Sequence, residues 1–473
     1  MFQIDNFNIN YYYIIIYFMS ISKEDRNNYG IVYTPNSLVD KILDLIPKEH
    51  YQNPELRWLD IGAGNGAFSL NLFQRLLNDL SSVIPNIETR KTHIIENMIT
   101  MCEIYPPHIE KLKSLFHKAN IITSDFLFLL TNLSKFDIII GNPPYNINGQ
   151  QKTPTNKSLK KSNDGKQAYV AFINKSLSML NDNGILSLIV PTLWMKPDKA
   201  GLYDTLINNN FSIKKLSCLS TSESQKEFLY QAQTPTCFFY GQKGKRLGSI
   251  PIYDKIHQKY IDYFIRPNYP IPTHGINIIN KLLYYVDQIG HLKVYKSNNE
   301  KKCSFLLEKN SILLEKNTIF ENIKTVNLSK KTPFLITNYS NIKQAFSNQP
   351  KLVLAHKMYG FPYLDISGIY GISSRDNYII SSNDYLVKEL QQIQAFLSTK
   401  TALFVFSTTN YRMRYLERYA FQFLPNITKI PNFPNLTNLD LLARDKALSN
   451  FFDFQEIEET VINNSFANYN FFL

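Results

Sequence analysis

Apolar positions in the first half of this 473-residue chain alternate between two spacings. Short, nearly unbroken apolar runs at Arg57–Ile61, Asn120–Thr123, Phe136–Ile140 and Ile185–Val190 have the pattern of strands buried on both faces. Between them, residues 67–80 (AFSLNLFQRLLNDL), 107–117 and Ala168–Leu180 repeat apolar positions every three or four residues, as helices do. His93 to Cys102 mixes the two spacings, and NDNG at 181–184 predicts a turn. The alternation predicts an α/β fold: a doubly wound, mostly parallel sheet with helices on both faces, over about residues 20–200. From 201 to 473 the pattern changes to short aromatic-rich runs broken by Asn, Ser, Gly and Pro, so a separate domain is expected there. Within it, 290–330 is lysine-rich and weakly patterned, whereas 411–424 (YRMRYLERYAFQFL) has helical spacing with basic and aromatic residues interleaved.

At the other end, the apolar run Tyr11–Phe18 is too short to span a bilayer. Residues 1–19 are expected to be a disordered tail or a translated upstream stretch, with Met19 an alternative start. No membrane association is expected. A composition of 44% hydrophobic and 19% charged residues is that of a folded globular protein. A net charge of +12 points to an acidic partner, nucleic acid above all. Cys102, Cys218, Cys237 and Cys303 are widely spaced, with no CxxC pair and no zinc spacing. They are read as incidental thiols in a reducing compartment, a cytoplasm or viral replication site, and no metal is expected.

Three local motifs carry the chemistry. In WLDIGAGNGAFSL (58–70) a strand ends at Asp60 and glycines follow at 62, 64 and 66, allowing a sharp turn and a close ligand approach. The following helix offers its N-terminus to a polar ligand group. GxGxG is not the dinucleotide fingerprint GxGxxG, so a nicotinamide cofactor is disfavoured and the pattern suits S-adenosylmethionine. Glu103 and Asp125 follow the second and third strands, where carboxylates could accept ribose hydroxyls and an adenine amine, with Phe126 stacking on the ring. In DIIIGNPPYNI (137–147), Gly141 ends a buried strand, and Pro143 and Pro144 hold Asn142 and Tyr145 in a stiff loop. Upstream, Tyr33-Thr34-Pro35 precedes an amphipathic helix, with Thr34 placed to cap it.

YTP at 33–35, DIGAGNGAF at 60–68, SDF at 124–126 and DIIIGNPPY at 137–145, in that order over roughly residues 29–195, resemble the gamma-class DNA adenine-N6 methyltransferases of restriction–modification systems. KMYGFPYLDISGIYGISSRDNYII (357–380), RYLERYAFQFLPNITK (414–429) and FFDFQEIEETVIN (451–463) are similar, more loosely, to recognition-domain segments of such enzymes. The resemblance implies a Rossmann-like catalytic domain and a C-terminal target-recognition domain that grips double-stranded DNA between them. It implies S-adenosylmethionine held by Tyr33, Thr34, Pro35, Asp60, Gly62, Gly64, Glu103, Asp125 and Phe126, and catalysis by Asn142, Pro143, Pro144 and Tyr145. The long interval between Asp60 and Glu103 departs from a minimal βαβ unit and implies an insertion. In the recognition half, Arg375 at the tip of a hairpin is the candidate base-edge contact, with Arg412, Arg414 and Arg418 on phosphates. A monomer without its own nuclease is expected, which leaves room for a separate cognate restriction endonuclease. Three alternatives stay open: an RNA adenine-N6 methyltransferase, a protein-glutamine methyltransferase, and a DNA-binding relic without activity.

Overall fold

The computed structural model describes residues 21–129, 135–146, 168–197, 201–207, 210–296, 306–307, 319–327, 334–356, 361–374, 376–412 and 416–466. The chain divides into two compact units, Met1–Tyr253 with Asp262–Arg266, and Asp254–Ile261 with Pro267–Leu473.

The first unit is built on a nine-stranded sheet in the order β3-β2-β1-β4-β5-β7-β6-β8-β9. Its strands are β1 (Trp58–Ile61), β2 (Ile99–Cys102), β3 (Asn120–Ile122), β4 (Phe136–Gly141), β5 (Leu180–Pro191), β6 (Phe211–Leu219), β7 (Thr236–Lys243), β8 (Ser249–Asp254) and β9 (Lys259–Phe264). β1 pairs in parallel with β2 and β4, β2 with β3, and β4 with β5, whereas β7 runs antiparallel between β5 and β6. The expected doubly wound sheet is therefore present. Its order reverses between β1 and β4, and at such a point ligands bind beyond the carboxyl ends of the strands. All four residues of β1 are buried, including Asp60, as a strand covered on both faces requires. Around the sheet lie α1 (Lys23–Tyr29), α2 (Asn36–Leu43), α3 (Ala67–Asp79), α4 (Pro106–Leu115) and α5 (Ala168–Met179).

Several local expectations are corrected. The mixed stretch from His93 to Cys102 resolves into a π-helical turn, Ile94–Met98, that runs directly into β2. NDNG does not form a separate turn, because β5 already starts at Leu180; the irregularity is confined to Asn183 at φ 63° and a shift in the β4–β5 register. Thr34 does not cap α2: Pro35 holds the cap position and no side chain closes it. The sheet also continues well past residue 200, since β6 to β9 add to its far edge. Local patterning assigns that antiparallel extension to the second domain because its pairing partners are distant in sequence.

The second unit holds two four-stranded sheets. One has the order β10-β17-β14-β15 and the other β11-β13-β12-β16, using β10 (Tyr295–Lys296), β11 (Leu306–Leu307), β12 (Phe320–Asn327), β13 (Phe334–Ser340), β14 (Lys351–Ala355), β15 (Tyr363–Asp365), β16 (Gly371–Ile372) and β17 (Asn377–Ser381). Ile323 and Val326 of β12 meet Val353, Ala355 and Ile379 of β14 and β17 in one core. The segment LDISGIYGISSRDNY is not a hairpin: β15 pairs with β14, β16 with β12, and β17 with β14. Nor do the described residues of 411–424 form an α-helix. They include a 3₁₀ turn at Arg418–Phe423, whose Ala420, Phe421 and Phe423 are buried. Phe421 packs against both Tyr378 and Phe406, and Pro425 follows Leu424, a residue that a succeeding proline biases away from helix. No helix among the described residues is long and apolar enough to cross a membrane.

Candidate active site

A cleft enclosing about 680 Å³ of space, part of it open to solvent, lies at the carboxyl ends of β1, β2, β3 and β4. Its walls bring together four of the sequence motifs. Tyr33 comes from the segment before α2, Gly62 and Gly64 from the glycine turn, Glu103 from the end of β2, Asp125 and Phe126 from the end of β3, and Asn142 to Tyr145 from the end of β4. Thr34, Pro35 and Asp60 stand behind these walls rather than in them.

The glycine turn has the backbone that its composition suggests. Gly62 and Gly64 lie at φ 64° and 58°, a left-handed conformation costly for residues with a Cβ. A Cβ on Gly62 would point at Pro144 Cδ (3.9 Å) and the Asn142 carbonyl (4.0 Å), across the space between the turn and the Asn-Pro-Pro loop. A Cβ on Gly64 would meet only the Gly62 carbonyl, at 3.9 Å, among the described residues. Side chains at these two positions would fill the cavity. The absence of a Cβ at both positions leaves room for a small-molecule ligand to approach the backbone.

Glu103 locks the turn in place. Its Oε2 accepts the Gly64 N–H at 2.6 Å, and its Oε1 accepts the N–H groups of Ile104 (2.9 Å) and Tyr105 (2.8 Å). Burial alone would push this carboxyl up, but His108 and the backbone N–H groups of Tyr105 and Gly64 hold it below the ordinary glutamate range. Three backbone N–H groups thus bond the carboxylate, and His108 faces it as well. His108, from α4, lies with Nδ1 3.7 Å from Glu103 Oε2 and Nε2 2.7 Å from the Tyr33 hydroxyl.

Asp125 accepts the Leu127 N–H at 2.9 Å through Oδ1. Phe126 is buried and stacked on Phe172 of α5, with ring centroids 5.2 Å apart, so two rings form the apolar wall. Behind the cavity, Asp60 accepts the Ser69 hydroxyl at 2.6 Å. Its other oxygen has no partner among the described residues. Burial pushes this carboxyl up to about 7, with nearby Glu103 adding to the rise and the Ser69 bond opposing it.

The loop after β4 carries two more enclosed polar atoms without a partner among the described residues, Asn142 Oδ1 and the Tyr145 hydroxyl. The Asn142 amide Nδ2 donates to Thr34 Oγ1 at 3.0 Å, which commits one end of the amide and leaves the oxygen open. The Tyr145 ring is half-buried and meets Tyr169 edge-on at 6.5 Å. Buried polar atoms are nearly always satisfied, so two orphans in one four-residue loop mark a site built for something else to occupy.

Residues 63–224 match the Eco57I restriction-modification methylase family. That segment includes most of the glycine turn, Glu103, Asp125 and the whole Asn142–Tyr145 loop, and it agrees with the resemblance drawn from the motifs. Among curated relatives, the modification methylase CviBIII of Paramecium bursaria Chlorella virus NC1A is 26% identical over 37% of this chain and 40% of its own length. The type II methyltransferase M.PaeR7I of Pseudomonas aeruginosa is 29% identical over 39% of this chain and 36% of its own. The chain thus spans well under half the length of these relatives. Among solved structures, the type IIL restriction-modification enzyme MmeI in complex with DNA superposes with a TM-score of 0.53 at 14% identity, covering 95% of this chain and 80% of that one. The fold is shared at that level.

Among the lining residues that the motifs did not single out are Gly30, His108 and Phe172. Gly30 had a local signal, a glycine closing a helix just before the YTP motif. His108 and Phe172 had none, being ordinary residues on helices. Of the candidate DNA contacts, Arg375 and Arg414 lie outside the described residues. Arg412 is half-buried and Arg418 begins the 3₁₀ turn.

Proposed function

We propose that this protein is a site-specific DNA methyltransferase that modifies the N6 amine of adenine, using S-adenosylmethionine. The observation that carries the reading is the open Asn142 Oδ1, enclosed beside the glycine cradle and fixed by a bond from the same amide to Thr34. An exocyclic adenine amine is a poor nucleophile because its lone pair is delocalised into the ring. Acceptors on both of its N–H bonds let the nitrogen become more tetrahedral as it attacks. Asn142 Oδ1 would take one and the Pro143 carbonyl the other, a preorganised arrangement that needs no strong base. Pro143 and Pro144 restrict the loop and keep both acceptors in register. Tyr145 would stack on the base once it leaves the duplex.

Gly62, Gly64, Glu103, Asp125 and the Phe126–Phe172 wall would hold the cofactor, which supplies an electrophilic methyl group on a sulfonium. After transfer the surplus proton leaves the nitrogen to solvent. In the second unit, Arg412, Arg414 and Arg418 would contact phosphate and Arg375 a base edge.

The test is to sequence DNA from cells expressing the protein with modified adenines located by position, beside an Asn142→Ala strain. Modified adenines at one recurring sequence, with transfer lowered by ~10²–10³ in the variant as when one preorganised partner is lost, support the reading. Labelling of RNA or of a peptide glutamine, with DNA untouched, would replace it.

A further inference from the structure

The segment before α2 touches the Asn142–Tyr145 loop at two separate points. At one end, Gly30 closes α1 in a left-handed conformation, φ 66°, with its N–H bonded to the Arg26 carbonyl. A Cβ built on Gly30 would stand 2.3 Å from the Asn146 carbonyl oxygen and 2.8 Å from Pro144 Cβ. Both atoms belong to backbone or to a proline ring, so neither can swing aside. At the other end, buried Thr34 accepts the Asn142 amide N–H through Oγ1 at 3.0 Å.

Between these points the segment is itself tied down. The Tyr33 N–H donates to Gln231 Oε1 at 3.1 Å, and the Tyr33 hydroxyl meets His108 Nε2 at 2.7 Å. Its apolar side chains belong to a small core in which Ile21, Tyr33 and Tyr105 are buried and Tyr29 and Ile31 pack against them. The segment is therefore a fixed part of the first unit, and the loop lies against it.

We propose that Gly30 and Thr34 are positioning residues that brace the Asn142–Tyr145 loop from both ends. Gly30 lets the segment lie directly against Pro144 and Asn146. Thr34 turns the Asn142 amide so that its nitrogen is committed and its oxygen is left for the substrate amine. Without the Thr34 acceptor the amide can rotate and present a donor where an acceptor is required. The inference rests on the reading of Asn142 as an amine acceptor; Thr34 stands outside the cavity lining, whereas Gly30 is part of it.

The experiment measures single-turnover methyl transfer to adenine in duplex DNA and, separately, S-adenosylmethionine affinity by calorimetry. Four proteins are compared: wild type, Thr34→Val, Thr34→Ser and Gly30→Ala. Thr34→Val keeps the shape and loses the acceptor, so transfer should fall about tenfold or more while cofactor affinity stays within about threefold. Thr34→Ser restores the acceptor and should recover most of the rate. Gly30→Ala should fall further, by ~10², the loss that follows from displacing reacting groups by about 1 Å. Should Gly30→Ala fail to fold, the Thr34 pair decides alone. If Thr34→Val transfers at the wild-type rate, or loses rate only in proportion to cofactor affinity, the brace is overturned while the methyltransferase reading stands. If wild type methylates no adenine in DNA, the reading falls and the brace falls with it.

Discussion

Replacing Asp60 by asparagine isolates the consequence of burying one carboxyl behind the active site. Asp60 is 1% exposed at the end of β1, with one oxygen on the Ser69 hydroxyl and the other without a partner among the described residues. Burial raises it from the ordinary 3.8 to about 7. Ionisation is therefore about 4 kcal/mol more costly in the fold than in the unfolded chain. The native state holds the proton more tightly, so the stability this group contributes is complete below its unfolded value and is lost as pH climbs towards 7. Between about pH 5 and pH 8 that loss amounts to about 2–3 kcal/mol. The Asp60→Asn variant has no proton to lose. It sacrifices something at all pH values, because the amide NH₂ would sit where the orphan oxygen now lies, a penalty of about 1–3 kcal/mol. The assay is urea unfolding of both proteins at the two pH values. It is followed by the fluorescence of Trp58 and Trp194, the chain's two tryptophans, both buried in the first unit. Subtracting variant from wild type cancels every other titrating group. The difference should shift by about 2–3 kcal/mol against wild type on going to pH 8. A difference constant to within about 0.5 kcal/mol would refute the reasoning and place the Asp60 carboxyl in contact with water.

Two other perturbations test separate parts of the molecule. Gly64→Val should abolish S-adenosylmethionine binding in calorimetry, because the new side chain enters the cavity; the fold should persist with a backbone penalty of about 1–2 kcal/mol, and unchanged affinity would sink the cofactor assignment. In the second unit, Lys351 and Asp365 form a fully buried pair at 2.5 Å, so Lys351→Met should cost about 3–5 kcal/mol by stranding the carboxylate. Hydrogen exchange across residues 350–372 should report that loss. The double variant Lys351→Met with Asp365→Leu should recover only part of it, since Asp365 also accepts the N–H groups of Gly368 and Tyr370.

The glycine turn, the Asn-Pro-Pro-Tyr loop and the alternating strands and helices were legible in the sequence because each is decided within a few residues. Gly62 and Gly64 must turn the chain, the prolines must stiffen it, and an unbroken apolar run must be buried on both faces. The order of motifs along the chain then pointed to a site at the carboxyl ends of the strands. Other features were decided only when distant segments met. Nothing near Glu103 indicates that its carboxylate clasps the Gly64 N–H, or that His108 links it to Tyr33. Thr34 reads as a helix cap, yet its hydroxyl is spent on Asn142, and Gly30 is a glycine less for its own turn than for Pro144 and Asn146 beside it. The strands β6 to β9 extend the first sheet because β7 finds β5 as an antiparallel neighbour, a pairing that no local periodicity encodes. Likewise 411–424 has the spacing of a helix, but Phe421 packs on Tyr378 and Phe406 and the described part tightens into a 3₁₀ turn. Local backbone preference and burial pattern are properties of a short stretch of chain; hydrogen-bond partners and close backbone approaches belong to pairs of stretches, and the tertiary fold selects the pairs.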